Sequence, residues 1–184
     1  MRLIKTIGWI AVVLAVITFA SCKKKEVKKE MTEEEARAKF EATLEANIEK
    51  TVLNYAMTDE DLGEYDSIKF VDYSPYFKSE YCATMVGFLS KQRDALQSQF
   101  DSAVANRDND ALIKVSESMD RINNCLDYYN KQSSNTLATK DDPVVLYEAK
   151  CYCYTDGYIQ EYIYYVTKDW KVIVLDPYDL DFLK

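Results

Sequence analysis

Histidine is absent from this chain. That removes the commonest general base near neutral pH, the commonest metal ligand and every His-based nucleophile triad. Glycine is nearly as scarce, with four residues, too few for a phosphate-cradling loop. Neither GxSxG nor HExxH occurs. Positive charge is in the minority: 23 Lys and Arg stand against 31 Asp and Glu, a net charge of −8. A nucleic-acid binder carries a basic face, so that class is disfavoured. Left open are carboxylate, tyrosine or cysteine chemistry, or none.

Against these absences stands a polarised N-terminus. Arg2 and Lys5 precede an apolar run from Ile7 to Phe19, broken only by Gly8 and Thr18, and Ala20, Ser21 and Cys22 follow. Charged, apolar, then small is the plan of a secretory signal peptide. The run is shorter than the roughly twenty apolar residues a spanning helix needs. The segment "FASC", with Phe19 where Leu is usual, resembles the lipobox of bacterial lipoproteins. That resemblance implies a diacylglycerol on the Cys22 thiol, cleavage before it, and anchorage to a membrane of the cell envelope. Lys23 directly after the cysteine, rather than an inner-membrane-retaining Asp, implies the outer membrane; the membrane face stays open. The expected organisation is a signal peptide over 1–21, a lipidated, Lys-rich tether over 22–31 and one α+β domain over 32–184. Loss of Arg2 and Lys5 with the signal takes the net charge from −8 to −10. An acidic body would be repelled by anionic lipid while Lys23, Lys24, Lys25, Lys28 and Lys29 sit close to the headgroups or in solvent.

Periodicity sets the expected fold. From Thr32 the pattern predicts a helix opened by a Thr32/Glu35 capping box, with Phe40, Leu44, Ile48, Val52 and Tyr55 as its stripe. "SIKFVDYSP" predicts a strand closed by Pro75. Within 78–132, Tyr81 to Val104 and Asn109 to Asn130 predict an antiparallel helical hairpin, joined at "NRDND". Its seam is Leu112, Val115, Met119, Ile122, Leu126 and Tyr129, faced by Cys82, Leu89, Leu96 and Ala103. "NKQSSNTLATKDDP" reads as a polar connector. Residues 143–176 predict a three-stranded meander turning at Asp156-Gly157 and Lys168-Asp169. With the first turn as a two-residue loop, Cys151 faces Tyr162, Ala149 faces Tyr164 and Tyr147 faces Val166, on a face without charge. Glu148, Lys150 and Glu161 fall on the other. The second turn is expected to add Ile173 and Leu175 to the uncharged face. The first strand is expected to join the meander, making about four antiparallel strands with helices against one face. This element order and the Tyr-rich C-terminus resemble small lipoproteins of Bacteroidota and, loosely, cystatin-like sheets with a helical insertion; neither resemblance implies an activity.

Three features invite a functional reading. Cys82, Cys125, Cys151 and Cys153 are candidate disulfide partners in an exported chain, and a helix-to-sheet bridge suits the spacing better than a bond within "CYCY". CxxC zinc spacing is absent. Tyrosine is plentiful, fifteen residues. On the charged sheet face, Tyr152, Tyr154, Ile159, Ile163 and Tyr165, with Val172 and Val174, form a candidate surface for a protein, peptide or glycan partner unless the N-terminal helix covers it. Asp176, Asp179 and Asp181 make an acidic end, expected to be solvated, without an EF-hand loop. No catalytic, cofactor-binding or metal-ligating set emerges. The leading expectation is a lipid-anchored, non-catalytic interaction module. The alternatives are an envelope enzyme using Asp, Glu, Tyr or Cys, and a structural spacer assembling through its hairpin.

Overall fold

The computed structural model describes residues 31–59 and 62–184, so Cys22, the expected signal peptide and most of the expected tether lie outside the described residues. Among the described residues three helices and one strand precede the meander: α1 (Glu33–Ala56), β1 (Ser67–Phe77), α2 (Lys78–Asn106) and α3 (Asn109–Thr139). The meander is β2 (Val144–Thr155), β3 (Tyr158–Thr167) and β4 (Val172–Ile173). The strands form one antiparallel four-stranded sheet in the order β1-β2-β3-β4, the expected α+β class.

Local chemistry explains the boundaries. Thr32 and Glu35 form the reciprocal cap of α1, with bonds of 3.0 and 3.2 Å. At α2, Phe77 has no side-chain acceptor. Glu80 instead reaches back to the Phe77 amide at 2.9 Å, and Asp142 accepts from the Ser79 amide and hydroxyl. Arg107 takes a left-handed conformation (φ 56°), and the Asp108 side chain caps α3 through the Ala111 amide at 3.0 Å. The hairpin therefore turns where it was expected to. Helix α3 then runs on to Thr139, through most of the expected polar connector. Its buried Thr136 and side-chain bonds such as Thr136 to the Gln132 carbonyl at 3.1 Å let polar residues continue the helix.

Pro75 does not close β1, which continues to Phe77 with Pro75 opposite Tyr147. β1 is an outer strand, where a missing amide is tolerated. A bulge at Val71, between the pairs Phe70–Cys151 and Asp72–Lys150, switches side-chain parity and turns Tyr73 rather than Asp72 toward the core. The Asp156-Gly157 turn has both residues at positive φ (45° and 83°) and pairs Thr155 with Tyr158, as the sequence required. The second turn departs from expectation. It is a three-residue loop, Lys168 to Trp170, in which Trp170 takes φ 61° and the Thr167 amide donates to the Lys171 carbonyl at 2.8 Å. One extra loop residue moves β4 by one position. Val172 then pairs with Val166 on the uncharged face, and Ile173 pairs with Tyr165 on the charged one.

Two cores result, one on each side of the sheet, so helices cover both faces instead of one. Ile48, Val52 and Ala56 of α1 pack on Phe70, Ala149, Cys151, Cys153, Tyr164 and Val166. Tyr81, Cys82, Met85 and Leu89 of α2 meet Ile122, Cys125, Leu126 and Tyr129 of α3, with Leu146 from the other side of β2. The C-terminal segment completes this second core through Leu175, Tyr178, Leu180, Phe182 and Leu183. Phe182 stacks on Tyr81 with centroids 5.0 Å apart, and the Tyr178 hydroxyl donates to Gln92 Oε1 at 2.6 Å. The segment is thus a strap on the hairpin, while Asp176, Asp179 and Asp181 stand exposed as expected. Asp176 and Asp179 accept from the Tyr178 and Asp181 amides and shape its turns. Leu89 is 0% exposed, so Leu89→Ala is expected to lower unfolding free energy by about 2–5 kcal/mol in urea titrations, with Phe182→Ala, at the margin of the same core, costing less.

Candidate functional site

The charged sheet face is covered at one end only. Tyr76, Leu146, Tyr165 and Ile173 lie under the hairpin and strap, and Tyr165 is tilted against Tyr76 with centroids 5.5 Å apart. Of the expected surface residues, Tyr165 is therefore drawn into a core. Toward the Asp156-Gly157 turn the face opens. Tyr152 and Tyr154 are half-buried, while Ile159 is 63% and Ile163 44% exposed. Helix α1 packs on the opposite face, so the expected cover does not reach these residues. Val172 belongs to that opposite face. Val174 is 83% exposed just beyond β4.

Charges cross the open face strand by strand. Asp72 on β1 pairs with Lys150 on β2, and Lys150 Nζ lies 3.3 Å from Glu161 Oε2 on β3. The sign runs negative, positive, negative toward the far edge. The bond to Glu161 holds the Lys150 ammonium above its ordinary pKa, with Asp72 a weaker contributor. This line was implicit in the sequence, but the Val71 bulge, which sets Asp72 beside Lys150, carried no sequence signal.

That far edge is bare. β4 pairs with β3 only at Tyr165 and Val166. With Thr155 and Tyr158 closing a two-residue turn, the hydrogen-bonded pairs to β2 recur at Gln160, Tyr162 and Tyr164. The amides and carbonyls of Ile159, Glu161 and Ile163 then point away from the sheet, and no strand among the described residues receives them.

Among the described residues Cys82, Cys125, Cys151 and Cys153 are free thiols, all buried. The expected helix-to-sheet bridge is not formed: Cys151 and Cys153 face α1, whereas Cys82 and Cys125 lie in the hairpin core across the sheet. Burial pushes the Cys151 thiol up to about 11, with the Glu49 charge adding to it, and raises Cys82 and Cys125 in the same sense. A protonated, enclosed thiol is a poor nucleophile. The buried phenols of Tyr81 and Tyr164 behave alike. Burial takes Tyr81 to about 12 and lifts Tyr164, whose hydroxyl is enclosed without a hydrogen-bond partner, with Asp59 as the next cause.

No group of three acidic or thiol side chains among the described residues is placed to hold a metal. No helix among them is long and apolar enough to cross a membrane. A cleft of about 330 Å³ between the start of α2, the second turn and the C-terminus carries Lys78, Lys168 and Lys184; Lys78 donates to Gln132 at 2.7 Å and Lys184 is paired with Asp181. No protein-family model matches the chain, and no curated protein or solved structure matches it either.

Two outcomes are expected. A thiol reagent should leave Cys82, Cys125, Cys151 and Cys153 unlabelled in the folded domain and label all four in denaturant without prior reduction. Raised phenol pKa values mean that the folded state holds its protons longer than the unfolded one, so the associated stability is complete below about pH 10 and is lost as pH climbs toward 12. Alkaline titration should show ionisation of the buried phenols, Tyr81 and Tyr164 among them, coinciding with unfolding.

Proposed function

We propose that this chain is a lipid-anchored, non-catalytic binding module of a bacterial cell envelope, held to the outer membrane through Cys22. The observation that carries the binding role is the open end of the sheet, where Ile159 and Ile163 stand exposed beside Tyr152 and Tyr154. Apolar and aromatic side chains grouped on an uncovered face suit a protein, peptide or glycan partner. The raised thiols and phenols support a non-catalytic role, because none is poised to ionise near neutral pH.

Anchorage rests on the "FASC" segment and its apolar leader. Acyl chains on Cys22 stabilise attachment by about 0.8 kcal/mol per buried methylene, and more than one chain makes it durable. Lys23, Lys24 and Lys25 would sit beside anionic headgroups at about 1 kcal/mol each.

Cys22→Ser is expected to move the protein from the membrane fraction to the soluble fraction; unchanged fractionation contradicts the anchor. A partner captured from envelope extracts by the wild-type domain should be lost by Ile159→Lys/Ile163→Lys. Both sites are exposed, so stability should change by no more than about 0.5 kcal/mol each.

A further inference from the structure

We infer that the bare edge of β3 takes an extended peptide segment of a partner protein as an added antiparallel strand, with a Lys or Arg at its centre and apolar residues two positions to either side. The inference deepens the binding-module reading and rests on it. Three independent features define the occupant.

First, the outward amides and carbonyls of Ile159, Glu161 and Ile163 form an unpaired row that continues the line on which β4 pairs at Tyr165. Such a row is complementary to another backbone in extended conformation and to little else. Second, the residues carrying this row all project onto the open face. Ile159 and Ile163 flank Glu161 and are exposed. A strand paired in register would set its alternate side chains against isoleucine, glutamate and isoleucine. Third, the charge order Asp72, Lys150, Glu161 alternates across successive strands, the last step running diagonally because Lys150 pairs with Ile163 and reaches Glu161 two residues along β3. The next strand position continues the alternation only with a cation. A second copy of this chain pairing edge to edge about Glu161 would place Ile159 against Ile163, but also Glu161 against Glu161. Like charges directly opposite each other oppose that pairing, and the negative net charge of the chain adds to the repulsion.

Glu161 guards this edge against a second copy, but the edge lacks the other devices that protect β1. β1, the opposite outer strand, carries a bulge at Val71, Pro75 and the charged pair Lys69 and Asp72. Such devices keep foreign strands away. On β3 the free stretch holds no proline, no lysine and no bulge.

The test uses an acetylated, fluorescein-labelled peptide Thr-Val-Thr-Lys-Thr-Val-Thr and its glutamate-centred counterpart, titrated by anisotropy with the folded domain. The lysine peptide is expected to bind about five- to tenfold more tightly than the glutamate peptide, and Glu161→Lys to invert that order. N-methylation of the peptide amides that would face β3 should abolish binding. Ile163→Pro, which removes an outward amide and leaves the β2 ladder, should weaken it. Equal binding of both peptides to both proteins, unimpaired binding of the methylated peptide, or no binding to wild type would overturn the inference. So would sedimentation showing self-association that Ile163→Pro abolishes, because the edge would then belong to a second copy. Loss of the strand inference leaves the module reading intact if Ile159→Lys/Ile163→Lys still abolishes partner capture.

Discussion

Strand β2 is the constraint on which this architecture depends. Its side chains alternate between two faces, and both faces are apolar over part of their length. Ala149, Cys151 and Cys153 must be buried on one side and Leu146 on the other. A single helical layer cannot satisfy both. Helix α1 covers the first face, and the hairpin with the C-terminal strap covers one end of the second. Because the second cover stops short, half-buried tyrosines and exposed isoleucines remain at the other end. The candidate site is thus what the packing leaves uncovered, and no separate element builds it.

The bare edge has a related cause. After Val172 and Ile173 the chain could continue along β3, which would bury Val174 or its neighbours against the edge. It leaves instead, because Leu175, Tyr178, Leu180, Phe182 and Leu183 find apolar partners on α2 and α3. Burying such side chains is favourable by about 1.5–3 kcal/mol each when complete. A few added ladder bonds contribute about 0.5–1.5 kcal/mol each. The strap therefore wins, β4 stays two residues long, and Val174 is left exposed. One contest between tail burial and strand extension decides both the second core and the open edge.

Much of the fold was legible in the sequence because its signals are local. The Thr32/Glu35 cap, the Asp156-Gly157 turn and the three- and four-residue spacing from Val115 to Tyr129 each report nearby geometry, and each stands in the structure. The failures share a different cause. The second turn was placed one residue short because Trp170, unlike glycine, gives no warning of a left-handed conformation. The bulge at Val71 has no residue signature. The distribution of helices over two faces depends on long-range packing that alternation alone does not assign. The tail's aspartates are exposed as expected, whereas its apolar anchoring goes unread, although Leu180 and Phe182 alternate with Asp179 and Asp181. Of the site, the tyrosines and isoleucines were visible as a face. Their exposure was not, since it depends on where a cover formed by residues 78–139 and 175–183 ends.

Residue-resolved hydrogen exchange along β3 tests this account most directly, because each amide reports whether its own ladder partner is present. Protected amides at Gln160, Tyr162 and Tyr164, fast exchange at Ile159, Glu161 and Ile163, and restored protection at Tyr165 and Thr167 are the predicted pattern. Uniform protection from Ile159 to Thr167 in the isolated domain would contradict it, since the outer edge of β3 would then already be paired.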